Sequence, residues 1–122
     1  MTMQTVKLAP PYSQIHVMDP SSREPVKWSR GSRLSATQSV VAIGTLAEGD
    51  GETEIRLGDN REVDPGTAPA YVGPLNTPTG VVSVRTAEDS EVLSIRVNRR
   101  RVTLRVWTND PSEPTLVILG VS

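Results

Sequence analysis

Hydrophobic and polar residues alternate with a period of two along two runs within residues 92–107. Successive strand residues point to opposite sides of a sheet, so each run has one apolar face and one polar face. With Val97 placed opposite Val102, the other aliphatic residues of the two runs also come opposite each other, and a four-residue polar loop joins them. The pattern predicts an antiparallel hairpin with one buried face.

Other short apolar or alternating runs predict further strands. They are residues 15–18, 26–28, 40–46, 53–57, 81–86 and 115–121. Turn compositions rich in Gly, Pro, Asp and Ser separate them, and the Glu-Gly-Asp-Gly turn inside residues 40–57 predicts a second hairpin. No run has the length and period of a ten-residue helix. Seven or eight short strands favour an all-β fold, a single-domain antiparallel β-sandwich or small barrel.

Two segments depart from the alternating pattern. Residues 1–12 have no clear period and end in two prolines, which favours extended backbone. They are predicted to form an extended N-terminal arm, loose or laid on a partner, before an all-β domain over residues 13–122. Residues 64–80 contain four prolines and three glycines. Long loops of this kind are usually functional or disordered, and one such loop is predicted here.

Composition limits the classes of function. The 122 residues fit one domain. There is no cysteine, so disulfides and cysteine-rich zinc sites are excluded. The net charge of -1 makes nucleic-acid binding unlikely on charge grounds. The first residues lack the apolar core of a signal peptide, and no run reaches the roughly 18 apolar residues of a membrane span. These features predict cytoplasmic synthesis without a signal peptide and no membrane contact.

Catalytic and metal-binding residues are not evident. His16 is the single histidine, and a lone histidine in a strand is typically a packing or surface residue rather than part of a triad. Residues 48–64 contain seven carboxylates, enough oxygen ligands to leave a calcium site open. Their spacing does not match an EF-hand, and Glu52 and Glu54 alternate as on a solvated strand face. We therefore assign no catalytic residue, metal ligand or cofactor.

Five residues are candidates for binding a partner. Arg99, Arg100 and Arg101 lie at the predicted hairpin tip, either as a solvated turn, as a docking site for an acidic protein surface, or as contacts to phosphates. Trp107 falls off the aliphatic face of the hairpin, so it is either an exposed interface residue or covered by the Pro-rich loop. Tyr71 lies within that loop.

The order of segments in the first half of the chain resembles a known family. Residues 18–28 read Met-Asp-Pro-Ser-Ser-Arg-Glu-Pro-Val-Lys-Trp, and a small-residue strand over 41–47 and the strand Thr-Glu-Ile-Arg-Leu follow. This order resembles the central part of small capsid decoration proteins of lambda-like tailed phages. The Pro-rich loop and the arginine-tipped hairpin have no counterpart in that pattern.

The resemblance implies a non-enzymatic protein that cements a capsid surface, commonly as a trimer, through an extended N-terminal segment. On that basis we expect a homo-oligomeric structural protein of a larger assembly, incorporated in a virion and bound to capsid or other assembly subunits. The alternative is a ligand-binding β-sandwich, for carbohydrate or protein, from a secreted or multi-domain protein. A shortage of aromatic residues weakens the carbohydrate version.

Overall fold

The computed structural model describes residues 3–122 as two five-stranded sheets packed face to face in a β-sandwich. The strands are β1 (Gln4–Leu8), β2 (Gln14–Met18), β3 (Leu34–Ala36), β4 (Val40–Gly44), β5 (Thr53–Asp59), β6 (Tyr71–Asn76), β7 (Val81–Thr86), β8 (Glu91–Arg96), β9 (Arg101–Thr108) and β10 (Leu116–Val121). A four-residue helix, α1 (Asn60–Val63), follows β5. The predicted single-domain β-sandwich is confirmed, and the sheets do not close into a barrel.

The first sheet has the strand order β1-β5-β10-β9-β6, and the second has the order β3-β4-β2-β7-β8. Neighbouring strands are antiparallel except for β5 and β10, which are parallel. The core lies between the sheets and consists of aliphatic side chains such as Ile15, Ile55, Leu104 and Leu119. Across residues 3–122, no helix is long and apolar enough to cross a bilayer.

The predicted hairpin over residues 92–107 is wrong in its pairing and right in its faces. Strand β8 lies in the second sheet and pairs with β7, whereas β9 lies in the first sheet between β10 and β6. The intervening loop crosses from one sheet to the other. Leu93 and Leu104 are buried as predicted, but they approach the core from opposite sheets. A hairpin and a crossing both turn the apolar face of each run inward, so the alternation does not distinguish them.

The second predicted hairpin fails for the same reason. Strand β4 belongs to the second sheet and β5 to the first, so residues 45–52 also cross between sheets. Residues 26–28 form no strand. They belong to an irregular connection between β2 and β3, which is anchored to β3 where the Ser35 hydroxyl donates to the Lys27 carbonyl at 2.6 Å.

The described part of the predicted N-terminal arm is extended and lies on its own domain. Strand β1 pairs antiparallel with β5, from Gln4 opposite Leu57 to Leu8 opposite Thr53. Val6 packs against the core. The segment from residue 4 to 8 is therefore not loose: it is an edge strand of its own domain, paired on one side with β5. Residues 1–2 of the predicted arm lie outside the described residues.

The segment predicted as one long loop, residues 64–80, contains a strand. Strand β6 runs through its middle at the edge of the first sheet. An edge strand tolerates proline because one row of its N–H groups has no partner strand, and this accounts for Pro74. The Asn76 N–H donates to the Gln38 carbonyl at 2.7 Å, away from β9. The loop prediction for residues 71–76 was wrong because an edge strand accommodates the Pro and Gly content that is also typical of loops.

A buried carboxylate joins the loop after β2 to the connection between β6 and β7. Asp19 is 1% exposed. Its Oδ1 accepts hydrogen bonds from the Ser21 N–H at 2.8 Å and the Ser21 hydroxyl at 2.7 Å. Its Oδ2 accepts from the Thr79 N–H and the Thr79 hydroxyl, both at 2.8 Å. The Asp-Pro-Ser-Ser sequence that contributed to the capsid resemblance thus forms a turn held by its own side chains.

Replacing Asp19 by alanine is expected to lower the free energy of unfolding at pH 7 by about 1–3 kcal/mol, the range for hydrogen bonds to a charged group. Burial alone would raise the pKa of the Asp19 carboxyl, but the hydrogen bonds from Ser21 and Thr79 outweigh it and hold the pKa below its usual value. The stabilisation is therefore present above about pH 4 and is lost as the pH falls through the lowered pKa.

Urea unfolding of the wild type and Asp19→Ala at pH 7 and at pH 3 measures this difference. Asp50→Ala is the control, because Asp50 is exposed in the loop between β4 and β5. An equal loss for Asp19→Ala at both pH values would contradict the role assigned to the ionised carboxylate.

Candidate binding surface

The structure places Trp107 under the segment that follows α1. Its side chain is 4% exposed and packs with Val63 and Ile118 on the outer face of the first sheet. The indole Nε1 donates to the Thr67 carbonyl at 2.8 Å. The sequence left open whether Trp107 is exposed at an interface or covered by the Pro-rich segment. In the structure, the Pro-rich segment covers the ring. Trp107 therefore offers little surface to a partner.

Tyr71 is also largely a packing residue. It lies in β6, is half-buried, and packs against the core between the sheets. Its hydroxyl lies against Gly73, where a side chain would collide with it. Burial raises the pKa of Tyr71.

Arg99 and Arg100 lie in the loop that crosses from β8 to β9, Arg101 begins β9, and all three are exposed. Among the salt bridges within residues 3–122, none involves these three side chains. The structure therefore does not bring Trp107, Tyr71 and the three arginines together into one site. The role of the arginines in binding stays a prediction.

The acidic residues of the 48–64 segment are dispersed. Glu54 pairs with Lys7 on the neighbouring strand β1 and with Arg56 on its own strand. The Asp59 carboxylate accepts from the Arg61 N–H at 2.9 Å and caps helix α1. Residues 3–122 contain no group of three or more His, Asp or Glu side chains arranged to hold a metal ion.

His16 holds an aromatic side chain in place. Its Nε2 lies 2.8 Å from the Gln14 Oε1, and the same oxygen accepts from the Trp28 Nε1 at 3.3 Å. Burial lowers the pKa of His16, and the Asp89 carboxylate partly opposes this effect. The imidazole is therefore neutral at pH 7 and has a structural contact on the outer face of the second sheet.

Trp28 forms one side of a groove at the end of the sandwich where β4 ends. The groove has a volume of about 230 Å³. It is lined by Tyr12, Ser13, Gln14, Trp28, Ser32, Arg33 and Gly44. Tyr12 is 69% exposed and Trp28 is 38% exposed, which makes them two of the few large apolar side chains open to solvent within residues 3–122. We call this the aromatic groove.

The backbone presents Tyr12 in a costly conformation. Tyr12 has φ 60° and Ser13 has φ 58°, both in the left-handed region that residues with a Cβ rarely adopt. The neighbouring structure holds them there, because the Ser13 carbonyl accepts from the Thr45 N–H at 2.8 Å and the Tyr12 N–H donates to Glu48 at 3.4 Å. Strained residues of this kind cluster at functional sites.

Arg33 crosses the floor of the groove. Its guanidinium carbon lies 2.8 Å from the position that a Cβ on Gly44 would take, so the glycine at the end of an otherwise apolar strand makes room for this side chain. Its Nη2 donates to the Thr45 carbonyl at 3.2 Å. Arg33 and Gly44 also line a second depression of about 290 Å³, bordered by Asp110 and Pro111, so the two concave areas form one surface.

Three loops carry acidic residues to this same end. The loop after β4 lies here because the Leu46 N–H donates to the Pro114 carbonyl, and the turn after β7 lies here because Thr86 pairs with Ile15 at the start of β2. The exposed carboxylates of these loops that make no salt bridge within residues 3–122 are Glu48, Asp50, Glu52, Glu88, Asp110 and Glu113. We call these six residues the acidic rim.

Sequence reasoning missed Tyr12, Trp28 and Arg33. They are separated in sequence and lie in irregular segments, so no period or motif linked them. One signal was present: two of the four aromatic residues, Tyr12 and Trp28, lie in the 1–28 part of the chain, outside the two predicted hairpins.

Residues 3–122 therefore form a β-sandwich of ten strands with an aromatic groove and an acidic rim at one end. No protein-family model matches the chain, and no curated protein matches it. Two solved structures share its fold. ComJ from Bacillus subtilis, the inhibitor of the DNA degrading activity of NucA, is 15% identical, with a TM-score of 0.67 over 99% of this chain and 98% of ComJ. Crocagin biosynthetic gene J is 14% identical, with a TM-score of 0.50 over 98% of each chain.

The predicted function as a capsid decoration protein in a virion is wrong. Two solved structures that share the fold along the whole chain are a nuclease inhibitor and a protein of crocagin biosynthesis, and neither is a capsid protein. The resemblance rested on a turn and two strands in sequence order. Of these, the turn is a local Asp19 motif and the strands belong to different sheets.

Proposed function

We propose that this protein is a non-catalytic domain that binds another protein through the aromatic groove and the acidic rim, and that its partner is an enzyme restrained by the binding. The observation that carries the proposal is the exposed pair of Tyr12 and Trp28 beside Arg33 in one groove. Tyr, Trp and Arg are the residue types that dominate the energy of protein interfaces.

The rigidity of the groove favours tight binding. Trp28 is fixed by its hydrogen bond to Gln14, and Tyr12 by the backbone contacts of the residue that follows it. A side chain that is already ordered loses less conformational entropy on association than a mobile one. The free energy needed to hold the Tyr12 backbone in the left-handed region is supplied when the chain folds. The ring is then already in place for a partner.

The acidic rim indicates the charge of the partner. Six carboxylates without a salt bridge within residues 3–122 lie on loops at the same end of the sandwich as the groove, and one of them, Glu48, accepts from the Tyr12 N–H. The arginines of the β8–β9 crossing lie at the opposite end. Such separation steers a cationic surface towards the groove and orients it there. We therefore propose a partner with a basic face.

The likeness to ComJ supports a role as an inhibitor. ComJ shares the fold of this chain and is described as the inhibitor of the DNA degrading activity of NucA. The same likeness supports a protein partner and a non-catalytic role for this chain. Homo-oligomerisation stays a prediction, which size measurement of the purified protein would test.

The experiment places a photo-crosslinking amino acid at position 12 in the cells that produce the protein. We expect a specific adduct with one protein, and none from the same crosslinker at exposed Thr5 on β1. The captured protein, once purified, should bind this chain saturably and lose enzymatic activity in stoichiometric mixtures. Identical adducts from both positions, or a captured enzyme that keeps full activity when saturated with this chain, would overturn the proposal.

A further inference from the structure

The opposite end of the sandwich carries the highest density of positive charge. None of the arginines at this end makes a salt bridge within residues 3–122. They are Arg96, Arg99, Arg100, Arg101 and Arg105. Other arginines do pair: Arg56 with Glu54 and Arg85 with Asp89. The positive charge at this end is therefore not neutralised by the described part of the chain.

A depression of about 540 Å³ lies at this end, between the β8–β9 crossing and edge strand β6. It is lined by Gly73, Pro74, Arg99, Arg101, Val102, Thr103 and Ser122. No carboxylate side chain is among these residues. We call it the arginine pocket.

The depression on the other side of the crossing is different. It has a volume of about 420 Å³, and its arginines are Arg23 and Arg100. Asp19 and Glu24 line the same depression, so two positive side chains face two negative ones. Of the two depressions beside the crossing, the arginine pocket is therefore the one whose lining side chains carry an excess of positive charge.

The backbone of the arginine pocket is held firmly. Thr77 is fully buried, and its hydroxyl donates to the Arg99 carbonyl at 2.6 Å while its N–H donates to the Arg100 carbonyl at 2.8 Å. Arg101 begins β9 and pairs with Asn76 on β6. These contacts fix the points from which the Arg99 and Arg101 side chains leave the backbone.

The pocket also presents hydroxyl groups. Thr103 contributes one from β9, and Ser122 contributes another. The Ser122 Oγ accepts a hydrogen bond from the Arg105 Nη1 at 2.9 Å, which leaves its own proton free to donate. Arginine forks and hydroxyl donors together suit an anion with several acceptor oxygens.

We propose that the arginine pocket binds a phosphate monoester group. Two unpaired guanidinium groups are neutralised by a dianion, and a phosphate monoester carries about -1.5 to -2 charge at pH 7, whereas a carboxylate carries one negative charge. Such a group occurs both on small phosphorylated compounds and on phosphorylated proteins. The pocket lies away from the aromatic groove, so this inference does not depend on the proposed function.

The test is a titration followed by amide chemical shifts of the full chain, with inorganic phosphate, adenosine monophosphate and a phosphoserine peptide as separate ligands. We expect saturable shifts at residues 99–103 with a Kd of about 1 mM or tighter for at least inorganic phosphate. Stronger binding of adenosine monophosphate would indicate a small phosphorylated compound as the natural ligand. Stronger binding of the phosphoserine peptide would indicate a phosphorylated protein. Binding of inorganic phosphate is expected to be weaker at pH 5, where it is a monoanion, than at pH 7. Sulfate remains a dianion and should bind equally at pH 5 and pH 7.

The double variant Arg99→Gln/Arg101→Gln is expected to weaken binding at least about tenfold. The matched control is Lys27→Gln/Arg30→Gln, which removes the same charge from two exposed side chains outside the pocket. Absence of saturable shifts for all three ligands, or equal weakening by the control, would overturn the proposal.

Discussion

Replacing Trp28 by alanine is expected to weaken binding of the partner by about 30-fold or more, which corresponds to about 2 kcal/mol, the threshold for an interface hot spot. The stability of the free protein should change little, because the ring is 38% exposed and lies outside both hydrophobic clusters. The measurement pairs a binding isotherm for the captured enzyme with a urea unfolding curve.

Tyr12 allows a sharper version of the same test. Tyr12→Gly removes the ring and places a glycine where φ is 60°, a backbone region that glycine adopts without steric cost. We expect a free protein at least as stable as the wild type together with a loss of affinity similar to that of Trp28→Ala. A lower stability and an unchanged affinity would contradict the assignment of Tyr12 to the binding surface.

The matched control for both variants is Val72→Ala. Val72 is 50% exposed on β6 and does not line the aromatic groove. Its truncation should leave affinity unchanged. If it weakened binding as much as Trp28→Ala, the partner would contact the outer face of the first sheet instead of the groove.

The sequence predicted most strands and their buried faces, but not their partners. Alternation is a local property, and it identified β5, β8 and β9 because each has one face in the core. Pairing depends on whether a connection turns back within a sheet or crosses to the other sheet. The Glu-Gly-Asp-Gly turn before β5 and the arginine loop before β9 both cross, and their compositions are also those of hairpin turns.

The candidate site was less accessible to sequence reasoning than the fold. Trp107 was a candidate because it falls off the aliphatic face of the predicted hairpin, and Tyr71 lies in the segment predicted as a loop. In the structure, the segment after α1 covers Trp107, and Tyr71 packs against the core. Tyr12 becomes significant only through its positive φ, and Trp28 only through its contact with Gln14. These features arise from tertiary structure and leave no pattern in the chain.

Trp107→Ala is expected to have the opposite effect to Trp28→Ala: a large loss of stability with little loss of binding per folded molecule. The ring fills the space between Val63 and Ile118, and a buried tryptophan replaced by alanine costs about 3–5 kcal/mol. Because the free energy of unfolding of a domain is small, this loss would be a large part of it. Trp107→Phe should recover part of the loss, because it restores packing but not the hydrogen bond to the Thr67 carbonyl.

Two neighbours explain why the Trp107 site tolerates little rearrangement. A Cβ on Gly120 would lie 3.0 Å from the Trp107 ring and 2.7 Å from the Asn60 Oδ1, so the backbone of β10 already touches the indole. Helix α1 and β10 are therefore held together through this ring, and a smaller side chain would leave a cavity. Urea unfolding and partner binding measured on the same samples separate the two roles: if Trp107→Ala unfolded like the wild type but lost the partner, the interface predicted from sequence would be right and the packing role assigned here wrong.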